Sequence, residues 1–236
     1  MAIDISGSML AEDLKPNRLE AAKNVAIDFI SNRSNDRIGL VVFSGESFTQ
    51  CPLTTDHTVL VNLFKDIKSG MVDDGTALGM GIATSVNRLK ESDAKSKVIV
   101  LVTDGVYNSG EIAPLTAAEL CKCFGIRIYT IGIGTLGLAP YPFQTPFGIQ
   151  YQDVEVKIDE KTLQYIAMIT KGKFFRATNN SSLKKIYDEI DLLEKSKIKV
   201  TEFSKKKEEF RLFLYVPFLL LIVSYILENT ILKRLL

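Results

Sequence analysis

Three apolar runs constrain this chain more than anything else in it: RIGLVVF (37–43), KVIVLV (97–102) and IRIYTIGI (126–133). Each is rich in β-branched residues and nearly continuous, whereas a strand with one wet face alternates apolar and polar side chains. Continuous runs belong to central strands covered on both faces, hence to a parallel sheet between helical layers. The helices are legible between them. In 17–31, Leu19, Ala22, Ala26, Phe29 and Ile30 recur at the three-and-four spacing of one helical face, with Pro16 near the start. In 57–68, Val59, Leu60, Leu63, Phe64 and Ile67 repeat that spacing behind Asp56, a plausible N-cap. Further helices are expected over 76–90, 114–124, 159–171 and 181–194. Strand then helix, repeated, predicts an α/β fold: a doubly wound, mostly parallel sheet with helices on both faces. SFTQCPLT (47–54) is short and holds a proline, so it is expected as an edge strand.

The segment 136–157 interrupts the alternation with three prolines and with Tyr141, Phe143, Phe147 and Tyr151. So many aromatics mark an ordered excursion rather than a linker, a second candidate for a partner surface or else extra sheet edge and core packing. The domain is expected to span 1–194, followed by a charged connector (195–210), a transmembrane helix (211–232) and a short basic tail (233–236). The apolar run Leu212–Leu227 has sixteen residues without a charge, and continuing to Leu232 brings it to the ~20 that a hydrocarbon core requires. A partner-packing or interfacial helix is the alternative. Basic residues are denser before the run than after it, which by the positive-inside rule would put the domain in the cytoplasm.

With 29 basic against 28 acidic residues, no overall field selects nucleic acid or an acidic partner. Binding has to come from a local site. The three cysteines make no even disulfide framework. The single histidine, His57, reads as a surface or capping residue.

The candidate site begins at the first residues, MAIDISGSML, where Asp4, Ser6 and Ser8 stand two apart. If AIDI ends a central strand, Asp4 lies at its carboxyl end, where open α/β sheets place ligands. Three short oxygen-bearing side chains on one tight loop can converge on a hard cation such as magnesium, and a simple N-cap and turn is the competing reading. Two other loops favour the metal. VIVLVTDG puts Asp104 at the end of a second strand, and DDGTALGMG puts Thr76 at a helix start after a tight glycine turn.

The pattern Asp4-x-Ser6-x-Ser8, Thr76 and Asp104 in TDG resembles the metal-ion-dependent adhesion site of von Willebrand factor type A domains, a Rossmann-like fold, over residues 1 to about 194. DISGSMLAEDLKPNRLEAAK, DRIGLVVFSGESFTQCPLTTDH, DGTALGMGIATSVNRLK and APYPFQTPFG resemble, more narrowly, the membrane-anchored Bacteroides aerotolerance (Bat) family. The resemblance implies hydroxyl ligands from Ser6, Ser8 and Thr76, with Asp4 and Asp104 binding directly or through water. The cation would be Mg²⁺, or Mn²⁺ or Ca²⁺, and its sixth position would accept an Asp or Glu from a protein partner. It further implies a role in aerotolerance or stress, sibling von Willebrand A proteins and a MoxR-like AAA+ ATPase as partners, and a periplasmic domain on a single C-terminal span. Family members carry apolar segments and a longer strand before the aspartate. Here only three residues precede Asp4, so the chain reads as truncated or internally started, with incomplete support for the first strand.

Competing motifs are weaker. GIGTLG (132–137) matches G-x-G-x-x-G but LAPYPFQTP follows, where a dinucleotide site needs a helix. A magnesium-dependent phosphotransferase or hydrolase would use Asp4 as nucleophile, yet Ser6 stands where haloacid-dehalogenase-like enzymes place a second aspartate. A metal-free scaffold is the third reading. Asp73, Asp74 and Glu46 are candidates for a negative rim.

Overall fold

The computed structural model describes residues 1–204 apart from Ser34, Gly105 and Phe147, together with Pro217, Leu220 and Leu221. Its contacts divide the chain into Met1–Glu194 and Lys195–Leu236. The first unit is a six-stranded sheet built from β1 (Ala2–Asp4), β2 (Ile38–Phe43), β3 (Ser47–Thr54), β4 (Lys97–Thr103), β5 (Ile126–Ile133) and a short β8 (Phe174–Ala177). The strand order is β3-β2-β1-β4-β5-β8, parallel throughout except for β3, which pairs antiparallel with β2 at one edge. The proline-bearing segment 47–54 is thus an edge strand, as its sequence predicts.

Both faces of the sheet are dry. Ile3, Leu40, Val42, Val100, Val102 and Ile131 point into one core, with α1 (Arg18–Ser31), α2 (His57–Lys65) and α6 (Asn180–Ser204) over it. Ala2, Phe43, Ile99, Leu101, Ile126 and Ile128 point into the other, under α3 (Leu78–Leu89), α4 (Pro114–Cys123) and α5 (Glu160–Ile169). Apolar side chains on alternate faces explain the uninterrupted runs. The N-caps are local: Asn17 accepts from Glu20 N at 2.8 Å, and Asp56 accepts from the amides of Thr58 and Val59. His57 opens α2 and its Nε2 lies 2.9 Å from Asp36 O, a structural contact.

β1 has three residues, fully buried and paired on both sides, Ala2 and Ile3 with β4 and Ala2 through Asp4 with β2. A strand this short is held sideways by its longer neighbours β2 and β4. The crossovers leave β1 and β4 in opposite directions, so their carboxyl ends flank the topological switch point where such sheets bind ligands.

Residues 136–157 form β6 (Leu138–Thr145) and β7 (Gly148–Glu155), an antiparallel hairpin separate from the main sheet. In the second unit, α6 continues from Lys195 to Ser204, into the stretch read as a connector. Lysines and glutamates propagate a helix well even where no apolar stripe marks it. The predicted span 211–232 lies outside the described residues except Pro217, Leu220 and Leu221, which are helical. Among the described residues, no helix is long and apolar enough to cross a membrane.

At the amino-terminal edge of the sheet, the buried Glu194 carboxylate accepts from Tyr129 Oη at 2.6 Å, Arg127 Nη2 at 2.5 Å and Ser96 Oγ at 2.8 Å. Burial alone would raise its pKa, but these donors hold it below the ordinary value. Its stabilisation is therefore present above the ordinary glutamate pKa and is lost as the pH falls from there through the lower folded value. Glu194→Ala leaves the Arg127 guanidinium without its carboxylate. We expect a loss of about 2–3 kcal/mol, seen by circular dichroism as a melting temperature lower by roughly 5–10 °C at pH 7.

Candidate metal centre

β1 delivers Asp4 to the switch point with no solvent exposure. One carboxylate oxygen accepts the Ser6 amide at 2.9 Å, turning the chain, and the other accepts the Thr103 hydroxyl at 2.6 Å. Ser6 Oγ lies 3.0 Å from Ser8 Oγ at the start of a 3-10 turn over Gly7–Leu10. β4 ends in Thr103 and delivers the buried Asp104 to the cleft that Ser8 also lines. The third loop precedes α3. Gly75 sits at φ +143°, a conformation that disfavours side chains, and reverses the chain so that the buried Thr76 faces the same place. Ser8, Thr76 and Asp104 line one cleft of about 410 Å³, with Asp4 and Ser6 buried next to them. Asp74 also lines it and accepts the Gly7 amide at 2.9 Å. Asp73 and Glu46, weighed for the same rim, are not among its lining residues.

The electrostatics are those of a site short of positive charge. Burial first, then repulsion from Asp104, push the Asp4 carboxyl up to about 7. Burial also raises Asp104, against the opposing pull of Ser8 and Arg18. Two like-charged buried carboxylates beside three hydroxyls are an all-oxygen donor set, which suits a hard divalent cation. Among the described residues no group of three or more His, Cys, Asp or Glu is placed to hold a metal ion, so the candidate donors here are two carboxylates supplemented by hydroxyls.

Three participants had no local signal in the sequence. Arg18, the first residue of α1, reaches back to Asp104 at 3.2 Å and is gripped by Asp13 through two bonds of 2.8 and 2.6 Å, with all three side chains buried. Its guanidinium lies against Gly134, where an added Cβ would approach to 3.0 Å. Asp13 is held in turn by the Thr135 amide at 2.8 Å. Asn108 clamps Thr76: its side-chain oxygen accepts the Thr76 amide at 2.8 Å and its own amide donates to Thr76 O at 3.3 Å. Capping chemistry explained the residues around Arg18, but its partner lies 86 positions away.

The von Willebrand factor type A domain model matches residues 1–189. An uncharacterised protein of Borreliella burgdorferi is 33% identical over 238 residues, covering all of this chain and 70% of its own. The chain spans 59% of a UPF0353 protein from Mycolicibacterium paratuberculosis that it also matches. Among solved structures, BatB from Bacteroides thetaiotaomicron superposes with a TM-score of 0.72 at 31% identity, over 82% of this chain and 97% of that one. An aerotolerance-related membrane protein from Bacteroides fragilis gives a TM-score of 0.68 at 31% identity, over 80% and 96%. With the sheet order, the loop positions and these likenesses in hand, the chain belongs to the von Willebrand factor type A domain family, next to the Bat-type aerotolerance-related proteins.

Proposed function

We propose that the cleft is a metal-ion-dependent adhesion site, selective for magnesium over softer ions, through which the domain binds a carboxylate of a protein partner without catalysing a reaction. The observation that carries this reading is the convergence of two buried carboxylates and three hydroxyls from three loops on the switch point, with Ser8, Thr76 and Asp104 facing the cleft. A bound divalent cation supplies a positive centre with a position open to an incoming Asp or Glu. Ser6, Ser8 and Thr76 offer neutral oxygens, which leave that charge uncancelled, and Asp4 and Asp104 hold it in place. Thr103, the Ser6 amide, Arg18 and Asn108 fix the orientation of these groups.

The phosphoryl-transfer alternative is disfavoured by Asp4 itself. Both of its oxygens already accept hydrogen bonds, and the residue has no exposed surface from which to attack a phosphate. The run 211–232 tethers the domain to a membrane in this reading, in keeping with the description of the B. fragilis relative as a membrane protein. Sibling von Willebrand A proteins and a MoxR-like ATPase are the partners to try first.

Titration calorimetry with magnesium on the full chain is expected to give one site in the wild type. Ser6→Ala and Thr76→Ala should each weaken it by at least about tenfold. No heat in the wild type would remove the metal, and magnesium-dependent hydrolysis of p-nitrophenyl phosphate lost in Asp4→Asn would favour an enzyme.

The Asp4 charge gives a second expectation. Its folded pKa lies above the unfolded value of 3.8, so the native state binds an extra proton between about pH 4 and 7 and the metal-free domain loses stability across that range as the pH rises. In Asp4→Asn the amide oxygen still accepts from the Ser6 amide while its NH₂ donates to a rotated Thr103 hydroxyl. In EDTA at pH 8 the variant should therefore be more stable by about 2 kcal/mol, with the advantage gone by pH 4. Added magnesium should raise the melting temperature of the wild type alone.

A further inference from the structure

The hairpin β6–β7 stands beside the metal loops, and its two faces differ. Cross-strand register puts Ala139 with Val154, Tyr141 with Gln152 and Phe143 with Gln150 on one face. Ala139, Tyr141, Phe143 and Val154 line the same cleft as Ser8, Thr76 and Asp104. The opposite face carries Tyr151, whose hydroxyl donates to Glu12 at 2.9 Å. Tyr141 and Phe143 pack with ring centroids 4.9 Å apart and ring planes tilted by 60°, and Tyr141 Oη comes within 3.3 Å of where a Cβ on Gly7 would stand. Phe143 and Val154 are 39% and 42% exposed, so this wall is open at the cleft.

A two-stranded hairpin is marginal alone in water, yet this one is fixed at several points. Glu12 N donates to Pro140 O at 2.9 Å and Tyr151 Oη to the Glu12 carboxylate at 2.9 Å, while Val156 N closes the hairpin's own base on Gly137 O at 2.8 Å. At its base, the Thr135 amide bonds Asp13, which also grips Arg18 against Asp104. The same network that orients a metal-site carboxylate thus anchors the apolar wall, leaving the two in a constant relation. Rigid apolar area beside a charge-binding point is what a polypeptide segment can use, because no ordering cost falls on the wall.

Resting on the carboxylate reading above, we propose that the cleft is a two-point socket. The metal centre takes an acidic side chain and the Tyr141–Phe143–Val154 wall takes a large apolar residue adjacent to it in an extended segment of a partner protein. The cleft volume, about 410 Å³, lies in the range of sites that enclose a few side chains. Occupancy is conditional on the cation. Without it, Asp74 and Asp104 face an incoming carboxylate, and the lining cations Arg18 and Lys157 are engaged by Asp13 and Glu155. The occupant is therefore an acidic residue flanked by Leu, Ile or Phe, rather than an acidic run.

The test uses two fluorescein-labelled pentapeptides, acetylated and amidated, each with one central glutamate flanked by leucines in one and by glycines in the other. Binding to the full chain is followed by anisotropy in magnesium and in EDTA. In magnesium the leucine-flanked peptide should bind roughly tenfold more tightly, the effect of burying part of an aliphatic side chain. The surface double variant Phe143→Ser/Val154→Ser should erase that preference while leaving magnesium affinity and glycine-flanked binding unchanged. Equal affinity of the two peptides for the wild type, or a preference that survives the double variant, overturns the socket and leaves the carboxylate reading standing. Retention of the leucine-flanked peptide in EDTA overturns the coupling to the metal. Failure of both peptides to bind in magnesium overturns the carboxylate reading and the socket with it.

Discussion

Asp4 and Asp104 leave the carboxyl ends of two neighbouring parallel strands, and there, out of water, each raises the free energy of the other's charge. Much of the surrounding structure answers that repulsion. The Ser6 amide and the Thr103 hydroxyl are directed at Asp4, and Arg18 is directed at Asp104. Arg18 is buried, so it needs Asp13 to complete its charge balance, and Asp13 needs the Thr135 amide to stay in place. Thr135 is then within reach of Arg176, which donates to its carbonyl at 2.9 Å and to Glu160 at 2.6 Å. A conflict confined to two carboxylates is thus spread through four segments of the chain. Replacing both by apolar residues would remove the conflict, and buried, mutually repelling carboxylates in a cleft mark a candidate functional site.

This chain of compensation also decides where the hairpin sits. β6 begins three residues after Thr135, so the segment that stabilises Asp13 is the segment from which the excursion leaves. The excursion cannot move far without disturbing Arg18. Its outward contacts with Glu12, two residues after the 3-10 turn, close a loop back to the metal side. Site and hairpin therefore form one mechanical unit despite lying in different sheets.

How much of this was legible follows from how local each signal is. β2, β4 and β5 announce themselves because burial on both faces removes polar residues from the run, and the helices because their buried faces recur every three or four residues. β8 was missed: four residues, FFRA, two of them only half-buried, are too few to establish a period. Asp4, Ser6 and Ser8 could be picked out because they are crowded on one loop, and Thr76 and Asp104 because each follows a glycine turn or a strand end. Arg18, Asp13 and Asn108 could not. They act through partners 86, 122 and 32 positions away, and in sequence each is an ordinary charged or polar residue near a helix or in a loop.

The two ends of the strands show two outcomes of burying a carboxylate. At the amino-terminal edge Glu194 is as buried as Asp104, both 4% exposed, yet Arg127, Tyr129 and Ser96 hold its carboxyl below the ordinary value. There the ionised form is the one that the fold stabilises, and α6 is fastened to β5 by it. At the carboxyl-terminal edge the bonds that Asp4 receives are outweighed by burial and by Asp104, so its charge opposes folding. Glu194 has a positive charge among its donors, whereas Asp4 is met by a backbone amide and a hydroxyl, which are neutral. Arg18 does not supply the compensation, because Asp13 already takes up its charge and its contact with Asp104 is the longest of its three to these carboxylates, at 3.2 Å. Under the proposed function, a divalent cation from solution supplies that compensation and receives the partner's carboxylate.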